Sequence, residues 1–175
     1  IEQERPDAVV VGTPPHLHSR IALKALESGT CAFVEKPFTA NLDQARKTTQ
    51  AFLDAGRVNQ VGYVNRFNDV FRKAKELINQ GVLGDIQKCK SVMLSGTVIR
   101  PVKNAGWRSG KNTGGGAIFE MASHAVDLLH FLVGPFSGVS NVQKRSIFSV
   151  EVEDAVDAEL ISKSGVIGQI EINWS

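Results

Sequence analysis

Asp7-Ala8-Val9-Val10-Val11-Gly12-Thr13-Pro14-Pro15 is the stretch on which the reading of this chain turns. An unbroken β-branched run suits a strand buried on both faces of a parallel sheet, because half-solvated strands alternate polar and apolar residues. Pro15 suits the first turn of a helix, where no backbone donor is needed. A helix from about His16 to Ser28 is expected next, burying Ile21, Ala22, Ala25 and Leu26, with Gly29 at its C-terminal cap. Cys31 to Val34 reads as a second strand that stops at Glu35-Lys36-Pro37. A helix from Asn41 or Leu42 to about Asp54 is stopped by Gly56, and Val58 to Tyr63 reads as a third strand. Strand, helix, strand, helix, strand demands a parallel sheet covered by helices.

Beyond Tyr63 the pattern changes. Phe67 to Gln80 is expected as an amphipathic helix closed by Gly81, and Asp85 to Thr97 as a long strand. Residues 100–116 form a glycine-rich polar loop holding Trp107-Arg108 and Gly114-Gly115-Gly116. Ala117 to Val133 is the most apolar helical stretch, and three strand-like segments follow at 139–149, 153–162 and 165–174. Strands joined by short turns suggest a largely antiparallel open sheet with helices on one face. The expected fold class is therefore α/β for residues 1–63, followed by an α+β domain over residues 64–175.

The 175 residues suffice for one domain or for pieces of two. A composition 42% hydrophobic and 22% charged excludes disordered and collagen-like chains. No run approaches the roughly 18 consecutive apolar residues of a membrane span, so no membrane partner is expected. The net charge of +2 comes from scattered Lys and Arg with no basic stripe, which argues against nucleic acid. Cys31 and Cys89 form neither a disulfide framework nor a zinc-ligand spacing and read as buried free thiols in a reducing cytoplasm. No signal peptide opens the chain, although a start at Ile1 without Met leaves a removed leader open.

In an open α/β sheet, ligands sit beyond the carboxyl ends of the strands. Two motifs fall there: Thr13-Pro14-Pro15-His16-Leu17-His18 and Glu35-Lys36-Pro37. An ammonium at such a strand end can hand a proton or hydrogen bond to a substrate oxygen, against the plain alternative of a solvated Lys36. His16 and His18, one residue apart at a helix start, lack the i, i+4 spacing of a zinc pair, so no metal is expected and His18 faces solvent or a cofactor. Glu120, His124 and Asp127, at i, i+4 and i+7, share one stripe of a 3.6-residue helix whose other faces are apolar. That stripe is either a functional row, with His124 as acid or base, or an ordinary solvated face. The triple glycine could let a helix N-terminus meet an anion or could be a flexible loop. Trp107-Arg108 could stack on a ligand or be structural.

Taken together, these motifs resemble the glucose–fructose oxidoreductase / inositol dehydrogenase (Gfo/Idh/MocA) family. The resemblance runs from Asp7–Pro15 with His18, through Ala25-Leu26-Glu27-Ser28-Gly29, Glu35-Lys36-Pro37, Gly62-Tyr63 with Arg66-Phe67 and Trp107-Arg108, to Gly114–Ala117 and His124–Asp127. It implies that residues 1–63 are the C-terminal part of a Rossmann-type dinucleotide-binding domain and 64–175 a substrate and oligomerisation domain. It implies NAD or NADP as cofactor, a sugar or cyclitol as substrate, and a homo-oligomer built through the C-terminal sheet. By the same matching, Lys36 and His124 are catalytic, and Thr13, Pro14, His18, Glu35, Lys36, Trp107 and Arg108 line the cofactor. Lys36, His124 and Asp127 then contact substrate, with the site formed where the two portions meet. Glu120 stands where family members commonly carry Asp, so its place as a third catalytic residue is a departure by one methylene.

The family's Gly-x-Gly-x-x-Gly loop is missing from the sequence. The chain thus reads as a fragment of an NAD(P)-dependent sugar or cyclitol oxidoreductase, inactive alone and a poor binder of NAD(P). A non-catalytic binding or assembly module is the alternative, and a hydro-lyase or glycosidase using nicotinamide on the same scaffold is a third.

Overall fold

The computed structural model describes residues 3–96 and 106–174. The contacts divide the chain into two units, Ile1–Gly62 with Gly110–Gly115, and Tyr63–Ser109 with Gly116–Ser175.

In the first unit, strands β1 (Ala8–Val11), β2 (Cys31–Val34) and β3 (Asn59–Val61) form a parallel sheet in that order. The register sets Val9 beside Ala32 and Val11 beside Val34. These four side chains make one face, and helices α1 (Pro15–Glu27) and α2 (Leu42–Asp54) supply Ala22 and Phe52 to the same core. Pro15 opens α1 as expected, and the Asn41 side chain caps α2 by accepting from the Gln44 amide at 2.9 Å. A buried Ser19–Thr48 hydroxyl pair at 2.8 Å ties the two helices. One expectation fails: β1 is not buried on both faces, since Val10 is 74% exposed and only Val11 is buried. The packed helix side chains lie on the Val9–Val11 face, and β1 pairs with β2 alone among the described residues.

In the second unit, a 3₁₀ turn (Val64–Phe67) leads into α3 (Asp69–Asn79), and β4 covers Lys88–Leu94, shorter than the expected strand. Thr97 and the loop residues 100–105 lie outside the described residues. Strand β5 (Phe136–Arg145), β6 (Ala155–Ser162) and β7 (Ile167–Asn173) complete a sheet ordered β4-β7-β6-β5. Two of its pairings are antiparallel, but β4 and β7 run parallel. Its inner face buries Val156, Ala158, Leu160, Ile170 and Ile172 against Ala122, Ala125 and Leu129. The outer face carries cross-strand ion pairs, Lys90–Glu171 at 2.6 Å and Arg145–Asp157 at 2.7 Å.

The apolar helix is not α-helical throughout. Ile118–Ala122 is a π turn, and α4 proper is Ser123–Val133. The cause is local: the Ser123 hydroxyl donates to the Phe119 carbonyl at 2.8 Å, the oxygen its own amide would take in an α-helix. That amide reaches back to Ile118 instead. Among the described residues, Lys111–Val133 is the stretch long and apolar enough, by length and composition, to cross a membrane. Its Ala117, Ala122, Ala125 and Leu129 are packed in the core of the second unit.

Candidate functional site

The first unit gathers its candidate residues at the carboxyl ends of β1 and β2. The Glu35 amide donates to Val11 at 2.9 Å and the Gly62 amide to Val34 at 2.9 Å, so the three strand ends are held level. The Glu35 carboxylate lies against Gly62, where an added Cβ would come within 3.1 Å of Oε1 and 3.2 Å of the Phe33 ring. Its other oxygen accepts from the Lys36 amide at 3.2 Å. Lys36 itself is half-buried, and the Lys36–Pro37 peptide is cis.

Thr13 and Pro14 are half-buried just past β1. The Thr13 hydroxyl is buried and finds no hydrogen-bond partner among the described residues. A polar group in that condition at a strand end is a fitting contact for a ligand. His18 departs from expectation, for its ring faces neither solvent nor an open crevice. It is 1% exposed, with Nδ1 2.9 Å from the Pro37 carbonyl and Nε2 2.6 Å from that of Thr13.

In the second unit, Glu120, His124 and Asp127 lie on the π turn and α4. Each has acquired a neighbour that the sequence reading did not supply. Arg66, from the 3₁₀ turn, grips Asp127 with three hydrogen bonds, Nε to Oδ1 at 3.0 Å, Nε to Oδ2 at 2.9 Å and Nη2 to Oδ1 at 2.7 Å. The Asp127 side chain is only 10% exposed, and the guanidinium also lies over the Phe131 ring at 5.7 Å. The Tyr63 ring meets the His124 ring edge-on, with centroids 6.3 Å apart. Burial pushes the Tyr63 phenol up, the Asp127 charge adds to that, and Arg66 opposes it. Glu120 sits in the π turn with Arg108 Nε 3.4 Å from its Oε1, and the Arg108 guanidinium stacks 4.8 Å over the neighbouring Trp107 ring.

The helix N-terminus behind the triple glycine already has its anion. Glu153 accepts the Ile118 amide on its carboxylate at 2.9 Å and the Ala117 amide on its main-chain oxygen at 3.0 Å. Gly116 makes this possible: at φ +101°, an added Cβ would lie 2.5 Å from the Glu153 Oε1. Tyr63, Arg66 and Glu153 are the residues the sequence reading left without a role. Their signal is weak, since Arg66 and Asp127 are 61 positions apart.

Residues 1–63 match the oxidoreductase family profile with an NAD-binding Rossmann fold, and residues 71–175 match the GFO/IDH/MocA C-terminal domain. A levoglucosan dehydrogenase of Pseudarthrobacter phenanthrenivorans is 33% identical over 77% of this chain and 35% of its own length. A 2,7-anhydro-N-acetylneuraminate hydratase of Mediterraneibacter gnavus is 30% identical over 75% of this chain and 34% of its own. The solved WlbA dehydrogenase of Bordetella pertussis, in complex with NADH and UDP-GlcNAcA, superposes with a TM-score of 0.89 at 30% identity. That match covers 99% of this chain and 50% of the other. The chain spans about a third of the length of these curated relatives and half of the solved chain. A parallel sheet, a mixed sheet backed by an apolar helix, and two consecutive family matches in order make this chain a member of the Gfo/Idh/MocA family of NAD-binding oxidoreductases.

Proposed function

We propose that the chain carries the hydride-transfer residues of an NAD(P)-dependent oxidoreductase acting on a sugar or cyclitol hydroxyl or carbonyl. In this reading residues 1–63 are the C-terminal part of the dinucleotide-binding domain, and 64–175 the substrate and oligomerisation domain. The observation that carries it is Lys36 at the end of β2, beside a strand end where the Thr13 hydroxyl is buried without a partner. Thr13, Pro14 and Glu35 would hold the cofactor, and the family resemblance adds Trp107 and Arg108 to that role. When bound, the nicotinamide supplies the hydride acceptor or donor.

The chain's own residues handle the proton. Lys36 hydrogen-bonds the reacting oxygen, and His124 takes the hydroxyl proton during oxidation and returns it during reduction. Tyr63 braces the His124 ring edge-on. Glu120, held by Arg108, reaches the substrate beside His124. Asp127, gripped by Arg66, anchors the helix instead of meeting substrate, which changes the role the resemblance implied for it.

Lys36→Ala in the protein as its gene encodes it tests this reading. Assayed against a sugar and cyclitol panel, turnover should fall by roughly a hundredfold or more, because both positioning and proton handling are lost. Undiminished hydride transfer sinks the proposal. A hydro-lyase that regenerates its nicotinamide is a second reading, favoured by the hydratase relative. Product analysis separates the two: an oxidoreductase changes NAD(P)H stoichiometrically with product, whereas a hydro-lyase adds or removes water with none consumed.

The outer face of the β4-β7-β6-β5 sheet is proposed as the homo-oligomer surface. Its ion-paired centre is bordered by exposed Val92 and Leu94. The two free, half-buried cysteines suit a reducing cytoplasm.

A further inference from the structure

We infer that His18 is a positioning residue for Lys36, not a contact to the cofactor. This inference rests on the hydride-transfer reading. His18 stands on the first turns of α1, a helix seated by Ala22 and Ala25, both 0% exposed, and tied to α2 through the Ser19–Thr48 pair. From that fixed base its ring spans two loops. Nε2 lies 2.6 Å from the carbonyl of Thr13, two residues past β1, and Nδ1 lies 2.9 Å from the carbonyl of Pro37, immediately after Lys36. Carbonyl oxygens only accept, so the ring nitrogen that carries the proton donates to the carbonyl it faces, and the tautomer decides which of the two that is.

With the ring 1% exposed and each nitrogen facing a backbone carbonyl, no polar atom of His18 is left to face a ligand. Its effect on chemistry passes through what it holds. The loop after β1 carries the buried Thr13 hydroxyl, and the loop after β2 carries Lys36, pinned on its other side by the Glu35 carboxylate accepting its amide at 3.2 Å. The imidazole is thus a crossbar between two strand ends, and it sets where the Lys36 backbone sits relative to Thr13. Misplacing a reacting group by about 1 Å lowers a rate by roughly a hundredfold even where binding survives.

Two variants of the intact protein test this, beside Lys36→Ala as the reference for the underlying reading. His18→Phe keeps a buried ring and removes both ring nitrogens, and His18→Gln keeps an amide NH2 group that can still donate. Turnover should fall about tenfold or more in His18→Phe, with the cofactor Kd within about threefold of the parent, and His18→Gln should recover part of the loss. Unchanged turnover in His18→Phe, or a cofactor Kd that rises by more than turnover falls, overturns the assignment.

A third measurement does not depend on the variants folding. With ring-¹⁵N-labelled histidine, the intact protein should show a His18 ring N–H protected from solvent exchange and coupled to a carbonyl carbon. A ring N–H exchanging as freely as an exposed imidazole overturns the crossbar. If Lys36→Ala leaves turnover intact, the hydride-transfer reading fails, and the ring N–H measurement still decides whether His18 bridges the loops.

Discussion

Asp154 shows how a single carboxylate can organise a turn. It is 0% exposed, and its Oδ2 accepts from the amides of Ile147 at 2.6 Å, Phe148, and Ser149 at 3.0 Å, while its own amide donates to Arg145. Burial pushes its pKa up, but the hydrogen bonds from Ser149, Phe148 and Ile147 together hold the ionised form, and the net direction is down. A carboxyl whose folded pKa lies below its unfolded one stabilises the fold above the unfolded value, about 3.9 for Asp, and loses that contribution as pH falls through the folded value. Asp154→Asn should therefore destabilise the fold at neutral pH by about 1–3 kcal/mol, as seen in urea midpoints, and should flatten the acid limb of the melting-temperature profile. An unchanged acid limb would assign the acid sensitivity to other groups. Residues of this kind are poorly legible in sequence. Lys36 and His124 stand out because their motifs are local, but the partners that give a side chain its chemistry arrive from elsewhere. Arg66 on Asp127, Glu153 on the Ile118 amide and the Pro37 carbonyl on His18 are all contacts that folding creates.

Elements were easier to read where their ends carry chemistry. Pro15 and Asn41 mark the starts of α1 and α2 within a residue, because a proline without a donor and a side-chain acceptor each have one favourable place. The apolar run of β1 predicts burial on both faces, yet apolarity states a preference for cover without saying what supplies it, and Val10 is exposed. The π turn at Ile118–Ala122 is hidden in the sequence for a subtler reason: its cause is the Ser123 hydroxyl competing for one carbonyl, and a serine inside an apolar helix leaves no distinct pattern. The turn matters because it carries Glu120, the residue expected in one stripe with His124 and Asp127. Its start is fixed by Gly116 and Glu153. Gly116→Ala should cost about 2–3 kcal/mol, by straining a backbone at φ +101° and expelling the Glu153 carboxylate that caps the Ile118 amide. Glu153→Gln should cost less, since an amide oxygen still accepts. Thermal unfolding of the pair measures the difference, and equal losses would show that the cap charge, not the space at Gly116, dominates.

At the scale of the molecule, the succession of a parallel and a largely antiparallel sheet was readable, because pattern and turn spacing belong to whole segments. The parallel pairing of β4 with β7 was not, since nothing local tells a strand which distant neighbour it will choose. The outer face of that sheet also frames the assembly proposal. Leu94 is 68% exposed at its margin, beside the Lys90–Glu171 and Arg145–Asp157 pairs. Leu94→Glu should lower the mass measured by light scattering towards that of one chain while leaving the melting temperature nearly unchanged; an unaltered mass would remove this face from the assembly.

The pairing of β4 with β7 also bears on the order of events at the ribosome. Lys88 waits for Ile167, so β4 leaves the exit tunnel long before the strand that belongs between it and β6 has been translated. Until then β4 and β6 each show a bare edge of unpaired amides and carbonyls, the kind of surface on which nascent chains stick to one another. Such non-local closure is slow, and a stop codon ahead of Ile167 would leave two sheet halves with no means of joining.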